Sequence, residues 1–290
     1  MRNFRKGKEG LGPQVSSRMD RGVYMHMKRW LTGIIAAPFL IYMIWWGPRR
    51  LFYLFLFVAA ITALAEFYRM APSRLPRVVQ WLSYFISLLL FLIFAIKQVL
   101  LTPIIIGLWA IVPMTFYMLT HPIPDEQWIA DMGRAVLGPI YICLPLAMLI
   151  LIDMIPEGNI WILFLLIVIF TNDTGALYIG KLFGRHKLYE SVSPNKTWEG
   201  AVGGLISSFV AAAIFLYFSR IHGLMLDIFI LVLLLSVMGQ IGDLVESMLK
   251  RIYGIKDSGR ILPGHGGMLD RIDALLFSIP VLYIYLTWTI

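Results

Sequence analysis

Long apolar runs constrain this chain more than any other feature it has. Nine of them, near 30–47, 51–70, 78–96, 98–119, 134–154, 159–181, 199–219, 226–249 and 271–290, are separated by charge, proline and glycine. Most approach the roughly 20 residues that an α-helix needs to cross the hydrocarbon core of a bilayer. Backbone polar groups cannot stay unpaired in hydrocarbon, so runs of this length have to be helical. Composition agrees, with 59% hydrophobic and only 14% charged residues, where soluble domains carry about 25% charge. The expected fold is therefore all-α: a polytopic integral membrane helical bundle of about nine transmembrane helices.

The distribution of charge tests that count. With the N-terminus in the cytoplasm, 21 of the 25 Lys and Arg residues fall in the leader or in loops on the cytoplasmic side. Only Arg49, Arg50, Lys97 and Arg220 fall outside. Positive charge is retained on the inner face of a membrane, so an even number of spans or the opposite orientation would spoil the asymmetry. A net charge of +8 spread in this way reads as topology and contact with anionic lipid, not as nucleic-acid binding. Loops 181–198 and 250–271 should face the cytoplasm, along with any chemistry they carry.

Three divisions follow. Residues 1–26 form a basic leader, expected to be disordered, with Met19, Met25 and Met27 as alternative starts; it is too long and polar for the n-region of a signal peptide. Residues 27–154 carry the N-terminal helices, and 155–290 the C-terminal helices and their loops, where the candidate site residues lie. Pro72 and Pro76 mark one loop, and Pro122 and Pro124 another. The lone Cys143 cannot form an intramolecular disulfide and is expected simply to pack. There is no internal repeat, and no GxxxxGK[ST] motif.

Against this apolar background a charged stretch near the C-terminus needs a reason, because each charge at a helix centre costs roughly 2.5–3.5 kcal/mol on insertion scales. On the eighth run Asp243, Glu246, Ser247 and Lys250 recur at i, i+3, i+4 and i+7 and share one helical face. Asp270 and Asp273 share a face at the start of the ninth. Between them lie Lys250, Arg251, Lys256, Asp257 and Arg260, then Gly264, His265, Gly266 and Gly267, with Arg271 following. Phosphate chemistry uses all three ingredients: hard oxygens for a divalent cation, cations for phosphate oxygens, and glycines that let backbone N–H groups come close. Any one of these residues is equally well explained as a neutralising pair or a topological charge. The whole set exceeds what neutrality requires.

Two further groups stand beside it. Thr171, Asn172, Asp173 and Thr174 lie late in the sixth run; polar side chains there face a cavity or the bundle interior, and helix–helix hydrogen bonds account equally for the threonines. Ser193-Pro-Asn195-Lys196-Thr197 with Glu199 and Gly200 precedes a small-residue stretch, and Ser193 could cap a helix with Pro194 at its first position. Lys196 and Glu199 also fit a simple surface pair. Glu66 and Arg69 read as an interfacial ion pair, His186 as solvated, and Trp45, Trp46, Trp81, Trp128 and Trp161 as an interfacial belt.

The run from Ser247 through Lys250-Arg251, Lys256-Asp257, Pro263-Gly-His265-Gly-Gly and Asp270-Arg-Ile-Asp273 closely resembles, without gaps, the signature of bacterial CDP-diacylglycerol synthases (phosphatidate cytidylyltransferases). The Thr171–Gly175 and Ser193–Gly200 segments resemble the same family, so the likeness is strong over about 160–290. It implies CTP and phosphatidic acid as substrates, CDP-diacylglycerol and pyrophosphate as products, Mg²⁺ as cofactor with room for a second, monovalent cation such as K⁺, and a homodimer in the lipid bilayer of the bacterial inner (cytoplasmic) membrane. On that reading Asp243 and Asp270 are the first metal candidates, with Asp273, Asp173 and Glu246 secondary. Lys250, Arg251, Lys256 and Arg260 grip phosphate; Ser193, Asn195 and Lys196 line the nucleotide's way in, and Asn172 the cavity floor. Asp243, Lys250, Asp270 and Asp273 are the residues expected to be catalytic. Asp257, Glu199, His265, Gly266, Gly267 and Arg271 complete the expected binding set. The competing expectations are a CTP-dependent polyprenol or phytol kinase, a CDP-archaeol synthase-like enzyme, and an ion-coupled transporter.

Overall fold

The computed structural model describes residues 38–73, 75–120, 126–219, 225–259 and 266–289. Residues 38–45 are helical and form α1. There follow α2 (Arg49–Met70), α3 (Arg77–Ala95), a 3₁₀ turn (Val99–Leu101), α4 (Thr102–Thr120), α5 (Glu126–Asp153), α6 (Gly158–Phe183), β1 (Lys187–Tyr189), β2 (Ser193–Thr197), α7 (Trp198–Phe218), α8 (Met225–Ile252) and α9 (Leu269–Thr289). Among the described residues eight helices, α2 to α9, are long and apolar enough to cross a bilayer. They sit on the eight later runs expected from the sequence. The basic leader and the opening residues of the first run, 30–37, lie outside the described residues, as do Arg260 and His265.

The long N-terminal helix α5 packs against α2, α3, α4 and α9. Its companions bury Phe52, Phe67, Phe94 and Trp109, while Cys143 is buried among them as expected. Pro139 and Pro145 lie inside α5 without ending it; neighbouring helices make such breaks tolerable in a membrane bundle. Apolar side chains elsewhere point outward: Leu54, Ile111, Val210 and Ile214 are all exposed, as a lipid-facing surface requires.

Polar side chains sort to the two ends of the bundle. At one end Asp153, closing α5, pairs with Arg49 of α2 and accepts a 3.0 Å bond from the Tyr53 hydroxyl. At the other, Arg134 pairs with Asp131 and its Nη2 donates to Ser73 Oγ at 2.8 Å. That second end also gathers the close of α2 with the start of α9, and the 187–197 segment with α8. The loops expected on one side of the membrane are therefore brought to one end.

Helices α6 and α7 form the tightest pair in the bundle. A Cβ on Gly204 would stand 2.6 Å from both the carbonyl and Oδ1 of Asn172, so only glycine lets the backbones come this close. Gly204→Val is expected to force the pair apart at a cost of about 1–3 kcal/mol. The check is the melting temperature of the purified protein in detergent, which should fall by several degrees; an unchanged melt would contradict the packing.

Three local expectations are corrected. The segment before α7 is not a capped helix start at Ser193: Ser193–Thr197 is a strand, paired antiparallel with Lys187–Tyr189. The cap is Thr197, whose Oγ1 accepts from Gly200 N at 3.1 Å, the usual i to i+3 arrangement. Thr171 and Thr174 do not bridge helices; their hydroxyls donate back to Ile167 and Phe170 carbonyls of α6 at 2.6 and 2.7 Å. Glu66 does not pair with Arg69 but is buried at 2% exposure and accepts from Ser258 and Leu269.

Candidate active site

The last turns of α6, the β1–β2 ribbon, the first turn of α7 and the middle of α8 enclose a cavity of about 640 Å³. The ribbon exists because α6 must stop: Gly184, extended at ψ 119, closes the helix after Phe183. Glu199, in the first turn of α7, then accepts from the backbone N–H groups of Arg185 and His186 at 3.1 and 3.2 Å. It also meets His186 Nδ1 at 2.6 Å, so His186 is engaged with an acid. These contacts pin the start of β1 to α7, and the ribbon in turn carries Ser193, Asn195 and Lys196 to the mouth of the cavity.

Asp173 of α6 and Asp243 of α8 line the cavity together with Lys181, Lys187 and Lys196. Counted along their helices at 1.5 Å per residue, the two acids sit roughly 15 and 14 Å from the pocket end. Such depth is costly for charge unless the site is polar and occupied. Lys196 Nζ lies 2.6 Å from Asp243 Oδ2. Asp273 of α9 is buried against the same stretch of α8, where a Cβ on Gly242 would stand 2.5 Å from its carbonyl oxygen. Its Oδ1 is held by the N–H of Ala274 at 2.8 Å. Below them Asn172, fully buried, donates to the Ser236 carbonyl at 3.3 Å and accepts from Gln240 Nε2 at 3.0 Å. Asn172 and Gln240 thus form a polar floor joining α6 to α8.

The remaining expected residues form a second cluster beside the pocket. Lys250 pairs with Glu246, which is completely buried, and with Asp270 at 2.8 Å. Asp270 also accepts from the N–H groups of Ser258 at 3.0 Å and Gly267 at 2.7 Å. Gly266 adopts φ +83, and a side chain there would press on the Asp270 carboxylate. Arg251 donates to the Val192 carbonyl of the ribbon at 3.3 Å. Lys256, Asp257 and Arg271 are exposed around this cluster. Ser247 Oγ reaches Asp243 only at the 3.5 Å limit.

The structure therefore brings Asp173, Ser193, Asn195, Lys196 and Asp243 to one cavity, with Asp273 and Asn172 behind it. It places Glu246, Lys250, Gly267 and Asp270 in an adjoining fastening. Among the described residues no three His, Cys, Asp or Glu side chains are grouped closely enough to hold a metal ion between them. The two carboxylates that do line the cavity, Asp173 and Asp243, are oxygen donors of the kind a hard divalent cation takes, and positive charge, from Lys196, is accommodated at Asp243. Sequence reasoning missed Gln240, whose signal was an amide three residues before Asp243 on an apolar helix. It also missed Tyr141 of α5, whose buried hydroxyl has no hydrogen-bond partner among the described residues.

An apolar bundle with a deep pocket of carboxylates and lysines at one end is the build of a membrane enzyme that handles anionic substrates. The chain belongs to the cytidylyltransferase family, whose model matches residues 27–289. A phosphatidate cytidylyltransferase of Staphylococcus haemolyticus (strain JCSC1435) is 36% identical over 261 residues, 89% of this chain and 98% of the relative. Another, of Bacillus subtilis (strain 168), is 35% identical over 267 residues, 89% of this chain and 97% of the relative. The kinship spans the N-terminal helices as well as residues 160–290. That membership makes the chain a nucleotidyltransferase.

Proposed function

We propose that the protein transfers the cytidylyl group of CTP to phosphatidic acid, giving CDP-diacylglycerol and pyrophosphate. The observation that carries this reading is the pocket itself: Asp173 and Asp243 together with Lys181, Lys187 and Lys196, in a cavity sunk between apolar helices. Its relatives' names supply the nucleotide and the lipid. The positive loops support a cytoplasmic orientation of this end in the inner membrane, so CTP would arrive from water and the lipid from the side.

In this scheme a phosphate oxygen of phosphatidic acid attacks the α-phosphorus of CTP. The new P–O bond forms as the bond to the β-phosphate oxygen breaks, and pyrophosphate leaves. Phosphatidate is already an anionic nucleophile, so positioning and neutralisation matter more than a strong base. Asp173 and Asp243, which line the cavity, would hold Mg²⁺ with Asp273 behind them, because Asp270 is engaged with Lys250 and two loop amides. Bound there, the ion would neutralise phosphate oxygens and orient the leaving group. K⁺ is the proposed second cation, read out as a dependence of rate on K⁺.

Lys196 would exchange Asp243 for a phosphate oxygen when the nucleotide enters, while Lys181 and Lys187 receive the rest of its charge. Ser193 and Asn195 would hydrogen-bond the nucleotide at the mouth, and Asn172 with Gln240 would keep α6 and α8 at the right separation. The working unit is proposed to be a homodimer, testable by mass measurement in detergent.

Purified protein incubated with CTP labelled at the α-phosphate, phosphatidic acid and Mg²⁺ should form labelled CDP-diacylglycerol and pyrophosphate in equal amounts. Release of CDP with a polyprenol or phytol acceptor would instead establish a kinase. Ion-coupled uptake into proteoliposomes without CTP consumption would establish a transporter.

A further inference from the structure

We propose that Glu66, on α2, is a positioning residue for the active site: it fastens the loop between α8 and α9 and caps α9 from a different helix. The kinetic half of this proposal rests on the cytidylyl-transfer reading; its structural half does not. Glu66 is 2% exposed in an otherwise apolar stretch of α2. Its Oε2 accepts from Ser258 Oγ at 3.2 Å and from Leu269 N at 3.0 Å. Leu269 is the first residue of α9, so Glu66 satisfies one of the N–H groups that a helix start leaves without an internal partner. Caps of this kind normally come from the residue just before the helix. Here the acceptor arrives from about 200 residues away in the chain.

The described flanks of that loop, up to Gly259 and from Gly266, are built against the carboxylate. A Cβ on either Gly259 or Gly267 would run into Glu66, so both flanks of the loop lie directly against it. Asp270 grips the same loop from the other side, through Ser258 N at 3.0 Å and Gly267 N at 2.7 Å. Ser258 is thus held by its backbone to α9 and by its side chain to α2. Asp270 also holds Lys250, two turns along α8 from Asp243, and α9 carries Asp273. Freeing the loop would loosen the start of α9 and with it the placement of Asp273 relative to Asp243. Glu66 Oε1 has no partner among the described residues, so the two bonds of Oε2 are the attachment. None of the cavity-lining residues includes Glu66 or its partners, which separates its effect from nucleotide binding.

The test compares full-length wild-type protein with Glu66→Ala, Glu66→Gln and Ser258→Ala in detergent micelles. Amide hydrogen exchange is read across 256–259 and 266–270, alongside kcat and the KM for CTP. Glu66→Ala should speed exchange of these amides about tenfold or more. It should lower kcat about 100-fold and leave KM for CTP within about threefold. Glu66→Gln keeps an acceptor oxygen and should recover much of both losses; Ser258→Ala, which removes one bond from the loop side, should show the same pattern more weakly. Unchanged exchange in Glu66→Ala, or faster exchange with normal kcat, would overturn the proposal. If Glu66→Ala fails to fold, Glu66→Gln and Ser258→Ala decide: losses proportional only to a lowered melting temperature would make Glu66 merely structural and overturn it. A wild-type protein that makes no CDP-diacylglycerol would refute the proposed reaction, and the exchange measurement would still decide whether Glu66 holds the loop.

Discussion

Asp243→Asn should abolish cytidylyl transfer, lowering kcat by about 10³-fold, while the protein stays folded. Removing one preorganised electrostatic group from an active site commonly costs 10²–10³ in rate, and a lost metal carboxylate also removes charge neutralisation of the triphosphate. The folding cost should be small. The Asp243 side chain is about a third exposed to the cavity, and its partner Lys196 is 26% exposed; pairs of this kind contribute about 0–1 kcal/mol. Asparagine keeps the shape and can still accept from Ser247. The measurement is CDP-diacylglycerol formation at saturating CTP beside a thermal melt. Near-normal turnover in this variant would remove the basis for placing the chemistry in the α6–α7–α8 cavity.

Lys250→Met should be the most destabilising single change in the C-terminal half, by about 3–5 kcal/mol, because it strands a buried charge. Glu246 is completely buried and its salt-bridge partner is Lys250, which also reaches Asp270. Methionine fills the space but offers no proton donor. The double variant Glu246→Gln with Lys250→Met should regain a large part of the lost stability, since no uncompensated carboxylate then remains at the buried position. Unfolding in a detergent and denaturant titration reads both effects. If Lys250→Met unfolds like the wild type, the Glu246–Lys250–Asp270 chain is not what fastens α8 to α9.

The helices were legible because hydrocarbon tolerates little else: an apolar run of span length has one backbone solution. The charged loops were legible for the complementary reason, that each buried charge demands a partner. The β1–β2 ribbon was not. Strands of three and five residues, Lys187–Tyr189 and Ser193–Thr197, carry no alternation long enough to register as period two, and Pro194 points away from a strand. The cap at Thr197 was hidden behind Ser193, which looks the better candidate until the strand moves the helix start four residues on. Glu66 was misread because Arg69, three residues later, satisfies the local rule for a helical pair. Which of two such neighbours turns inward depends on the helices around them.

By itself the chain determined its class of fold, the end of the bundle where polar chemistry gathers, and the residue types that chemistry uses. Local composition and the solvent preference of each run are enough for that. Tertiary structure alone decided how the charged residues divide. Asp173, Lys196 and Asp243 meet in a cavity only because glycines let α6 and α7 close together, and Asp270 is drawn off to a loop that Glu66 holds from the far half of the chain. Spacing along one helix reports which side chains share a face. It carries no information about which other helix that face will meet.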